Sequence, residues 1–197
     1  MKKRSLKIKL SLSGALMICA LIITHSYLSL AAILAALCHE IGHIAAAKLY
    51  KIPLNELKLG IFGASLMSKP LLCSYKSEIM LAAAGPFVNL MLSALFLPFC
   101  KNEFCSLFIA ASLFLGLLNL LPIYEFDGGR ILYCIISYFH SQEIARKVIF
   151  AFSFVLIFSL WTLSVYLLLR LSGSLSLFIF SLSLFSKIFL LPSKEFY

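Results

Sequence analysis

Long apolar runs, separated by short polar breaks, occupy the chain from Leu10 to Leu191. No other feature narrows the fold as much. With 62% hydrophobic residues and a mean hydropathy of +1.02, the 197-residue chain lies far from the composition of an ordinary soluble domain. In lipid every backbone N–H and C=O must find a partner within the protein, so an apolar run of about 20 residues crosses as a helix. The breaks predict six spans, at Leu10–Ile23, Tyr27–Tyr50, Ile79–Phe99, Phe104–Leu121, Val148–Leu169 and Leu175–Leu191. The expected architecture is an all-α polytopic membrane protein, a single transmembrane domain over residues 1–197.

One segment departs from helical patterning. Leu57 to Ser65 alternates in period two and contains Gly60 and Gly63, which predicts a short β-hairpin or a re-entrant loop after the second span. Charge then orients the chain. With the amino terminus in the cytoplasm, only Lys101 and Arg170 of the 17 Lys and Arg residues fall outside. Both termini are thereby expected in the cytoplasm, and the basic start, Met1 to Leu10, reads as a retained signal anchor. The net charge of +9 is spread over these gaps, with no patch of the kind that binds nucleic acid. Six cysteines show no paired metal or disulfide spacing, although Cys100 and Cys105 flank one short outer loop.

The chemistry sits inside the second run, where Ala31 to Leu49 is apolar apart from His39-Glu40-Ile41-Gly42-His43 and Lys48 near its end. Residues four apart share a helix face, so His39 and His43 can grip one metal ion, and Glu40 lies one step round, near water held there. Ionisable groups at that depth mark a functional site. A catalytic zinc needs a third protein ligand. Asp127 is the best candidate, because it follows a helix break and Gly128-Gly129 frees the backbone to turn. It also has a structural reading, as the cap of a helix starting near Gly129. Glu125 is a rival ligand. His25 and His140 are poorly placed, one in an outer turn and one at a helix end.

The combination of His39-Glu40-Ile41-Gly42-His43 with Asn119-Leu120-Leu121-Pro122 and Asp127-Gly128-Gly129 resembles the site-2 protease family of intramembrane zinc metalloproteases, peptidase family M50. Gly85-Pro86-Phe87-Val88-Asn89 matches a further element of that family, although small residues and a proline there also have a plain packing reading. The compact form, without PDZ or CBS domain, is most similar to the stage IV sporulation protein FB branch. The resemblance implies one Zn2+ per chain on His39, His43 and Asp127, with Glu40 as general base and Asn119 close to the reacting carbonyl. It implies that Gly60 and Phe62 of the hairpin, and Asn89, meet the substrate. That substrate would be a transmembrane or membrane-associated protein, such as a pro-sigma or anti-sigma factor, in a bacterial cell membrane. Inhibitory or regulatory membrane proteins are the other expected partners. From the residues alone, two other readings stay open. One is a membrane-embedded binding protein that retains the motif, and the other is a metal transporter.

Overall fold

The computed structural model describes residues 7–10, 26–52, 56–60, 63–67, 74–171 and 175–190. The chain divides into two compact units, Met1–Leu120 and Leu121–Tyr197.

In the first unit, helix α1 spans Tyr27–Leu49 and starts where Ser26 interrupts the apolar run. The Ser26 hydroxyl accepts from the Ser29 N–H at 3.2 Å, satisfying one of the donors that a helix start leaves open. Helix α2, Tyr75–Phe96, is capped in the same way by Ser74, and runs into a 3-10 turn at Leu97–Phe99. Helix α3, Glu103–Asn119, is capped by Asn102, whose side-chain oxygen accepts from Cys105 N–H at 2.8 Å.

All three helices pack on one another. On α1 the residues Ala31, Ala35, His39, His43 and Ala47, spaced by four, form a buried stripe with Gly42 and Ala46. Leu30, Leu34, Leu37 and Ile41 are exposed on other faces, where lipid takes the place of protein. Small residues let the backbones approach. A Cβ on Gly42 would stand 2.7 Å from the Ala84 carbonyl oxygen of α2. Gly42 against Ala84, His43 against Leu81 and His39 against Asn89 run in opposite senses along the two helices, so α1 and α2 are antiparallel. On α3, Gly116 gives similar access, since its Cβ would lie 3.3 Å from Asn89 Cβ. Phe108 packs with Ala31 and Ala35, and Leu81 with Ala46, Ala47 and Ile52.

The same unit contains a three-stranded sheet of order β1 (Lys7–Leu10), β2 (Glu56–Gly60), β3 (Gly63–Met67). β1 runs parallel to β2, with Leu10 opposite Leu59, and β2 runs antiparallel to β3, with Gly60 opposite Gly63. The fold is helical with a small sheet. The residues Lys7–Leu10, taken as the basic lead into a first span, form a strand. Residues 11–23 of that expected span lie outside the described residues. Because β2 lies between its neighbours, the open sheet edges among the described residues belong to β1 and β3.

The second unit contains α4 (Asp127–Phe139), α5 (Gln142–Leu171) and α6 (Leu175–Leu190), with α5 packed on both others. Ser164 and Ser181 hydroxyls meet at 3.0 Å between α5 and α6, and Trp161 stacks on Phe185 at 6.1 Å. The turn before α4 is tied down twice. Tyr124 N–H donates to Ser153 Oγ of α5 at 2.8 Å, and Phe126 N–H donates to the Ile123 carbonyl at 2.9 Å. A Cβ on Gly129 would run into that Ile123 carbonyl, so the second glycine of the pair is required for the turn to close.

Three helices are long and apolar enough to cross a membrane: Tyr27–Leu49, Tyr75–Phe99 and Gln142–Arg170. α3 has 17 residues and α6 has 16, short of the roughly 20 a full crossing takes. The described residues therefore carry three full-length spans where the sequence predicts six.

Candidate metal centre

The buried stripe of α1 carries the two imidazoles. His39 is 5% exposed and His43 4%. Their Nε2 atoms lie 3.1 Å apart, with ring planes at 82°. Two nitrogens bound tetrahedrally at about 2.0–2.1 Å from zinc lie about 3.3 Å apart, so the pair is spaced for one ion. His43 Nδ1 stands 2.8 Å from the Leu81 carbonyl oxygen. A carbonyl only accepts, so Nδ1 carries the proton and Nε2 presents its lone pair. A Cβ on Gly85 would overlap His43 Nε2 and stand 2.8 Å from His39 Cε1. The room for both rings therefore exists only because residue 85 has no side chain. The Asn89 amide nitrogen lies 3.5 Å from His39 Nδ1. Leu81, Gly85 and Asn89, four apart on α2, form the wall against which the histidines rest.

Glu40 is half-buried on α1, about 100° round the helix from His39. In the second unit, Asp127 is half-buried and is the first residue of α4, whose cap is Phe126 with no side-chain hydrogen bond. Asp127 thus stands one place past the cap position. Glu125 is exposed in the preceding turn. Asn119, at the end of α3, donates from Nδ2 to the Leu115 carbonyl at 3.0 Å and retains a second N–H. Gly60 ends β2, and Phe62 and His25 lie outside the described residues. His140 is exposed at the end of α4.

Two contributors escape a reading of side-chain types. The Leu81 carbonyl is invisible because any residue supplies one, and the clearance at Gly85 looks like ordinary helix packing. The 81, 85, 89 spacing on α2 was the available signal.

The paired imidazoles and Glu40 on one apolar helix make a candidate metal-binding site, and comparison with known proteins narrows the reading. Residues 101–163 match the model of peptidase family M50, a stretch that holds Asn119 and Asp127. A zinc metalloprotease of Methanocaldococcus jannaschii is 31% identical over 145 aligned residues, 66% of this chain. The chain spans 42% of that relative's length. A site-2 protease from Methanocaldococcus jannaschii has the same fold, with a TM-score of 0.67 over 95% of this chain and 91% of that one, at 23% identity. Residues 101–163 are thus similar to peptidase family M50, and the fold is similar to that of a site-2 protease.

Proposed function

We propose that the chain is an intramembrane zinc metalloendopeptidase acting on a transmembrane or membrane-associated protein. The observation that carries this is the pair of buried imidazoles facing each other at 3.1 Å, on a helix that also bears Glu40. Asp127 is the third ligand. In support, two imidazoles alone leave a catalytic zinc one protein ligand short, and Asp127 is a half-buried carboxylate at the start of α4. Two imidazole nitrogens and a carboxylate oxygen make a donor set that suits zinc and leaves a fourth position open. When bound, zinc supplies Lewis acidity, which polarises a carbonyl and makes water nucleophilic near neutral pH.

The chain's own residues do the rest. Glu40 takes the proton of the attacking water and returns it to the leaving amine. Asn119 offers its remaining N–H to the oxygen where negative charge builds. A substrate helix hides its peptide bonds in its own hydrogen bonds and must unwind to expose one. The outer edge of β3, downstream of Gly60 and Phe62, offers the freed backbone a strand to pair with. Likeness to the stage IV sporulation protein FB branch favours a pro-sigma type of substrate in a bacterial membrane, under the control of a membrane-bound inhibitor. The placement of Lys and Arg supports cytoplasmic termini.

The test is a fluorescent reporter with a transmembrane helix, incubated with the purified chain in detergent. The reading predicts cleavage that a zinc chelator lowers at least about 100-fold and added zinc restores, as expected when the ion is essential. Chelator-resistant cleavage would overturn the metal assignment. Zinc binding without hydrolysis would favour the binding or transport reading.

A further inference from the structure

We propose that Asn89 is a positioning residue for the metal centre: its side-chain amide fixes the ring of His39 so that Nε2 faces the ion. The inference rests on the metalloprotease reading above and assigns Asn89 to the metal, not to the substrate.

Asn89 is fully buried, so it has no surface to offer a substrate. Packing holds it from two directions. Ser93, one turn on, donates to the Asn89 carbonyl at 2.8 Å and reaches the Ile109 carbonyl of α3 at 3.3 Å. The absent side chain at Gly116 brings the α3 backbone against Asn89 Cβ. The amide end is then aimed at His39 Nδ1, 3.5 Å away. Among the described residues, the other end of that amide, Oδ1, has no hydrogen-bond partner although it is buried. A buried acceptor left unsatisfied is destabilising.

The tautomer of His39 resolves this. A histidine that ligates through Nε2 carries its proton on Nδ1 and so needs an acceptor there. On His43 the Leu81 carbonyl fills that role. A half-turn of the Asn89 amide about its Cβ–Cγ bond places the partnerless Oδ1 on His39 Nδ1. The oxygen then accepts from the ring nitrogen that carries the proton, and His39 Nε2 is left to face the ion. The two histidines are thus oriented by matching devices on one face of α2, a backbone carbonyl at Leu81 and a side-chain carbonyl at Asn89. Outer-shell partners of this sort are worth about 10–100-fold in metal affinity.

Asn89→Leu keeps the volume and removes the acceptor. Asn89→Asp keeps an acceptor in the same place. Zinc affinity is read by competition with a chromophoric chelator, on full-length protein in detergent, and the cobalt-loaded absorption spectrum reports ligand geometry. Asn89→Leu should bind zinc about 10–100-fold more weakly and shift the cobalt bands, whereas Asn89→Asp should bind within a few-fold of wild type. Wild-type affinity in Asn89→Leu would overturn the proposal even if cleavage fell, because the residue would then serve the substrate. Equal loss in both variants would also overturn it, because packing and not the acceptor would be at stake. A wild-type chain that binds no zinc at all would sink the metalloprotease reading itself, a result distinct from the other two.

Discussion

Glu40→Gln should keep its zinc and lose cleavage by about 10²–10⁴-fold, the usual contribution of a positioned general base. The substitution is nearly isosteric and Glu40 is half-buried on a helix held by packing at Ala35, His39 and Gly42, so the fold has no reason to change. His39 and His43 keep their partners on α2, because neither Leu81 nor Asn89 depends on residue 40. What the glutamine cannot do is accept a proton and give it back. Reporter cleavage and zinc content measured on the same preparation separate the two effects. Full cleavage in this variant would remove Glu40 from the mechanism.

Gly85→Ala should have the second-largest effect, and it acts through the metal. The new methyl would overlap His43 Nε2 and lie 2.7 Å from His43 Cε1 and 2.8 Å from His39 Cε1. Both rings must retreat from the point on which their Nε2 atoms converge. Overpacking a filled interior costs about 1–3 kcal/mol, which as lost zinc affinity is about 5–150-fold. Chelator competition measures it directly. An unchanged affinity would show that the rings have slack that the close approach of α2 does not suggest.

The site was legible because its residues follow helix periodicity. The four-residue step from His39 to His43 survives intact, and the polar residues Ser26, Ser74 and Asn102 cap helices at the breaks where they stand. Other features lie beyond a local reading. Lys7–Leu10 looked like a basic leader because its strand character comes from pairing with residues some fifty positions away. The start of α5 at Gln142, ahead of the expected Val148, has a plain cause. An apolarity reading stops at charged residues, but a helix needs only its hydrogen bonds, and Glu143 and Lys147 add an ion pair of 2.8 Å along the exposed first turns. α3 and α6 fell short of full spans because apolar runs show where a helix is tolerated, not how many turns it completes. Gly85 read as a packing glycine, and that was half right: what it packs against is the pair of imidazoles.

The most direct measurement is the zinc content of the purified chain beside that of Asp127→Asn. With two imidazoles already facing each other and the carboxylate proposed as third donor, wild type should carry close to one zinc per chain, and the variant should lose most of it under mild chelation. A wild-type preparation without zinc, or an Asp127→Asn variant that holds the ion as tightly as wild type, would contradict the centre described above.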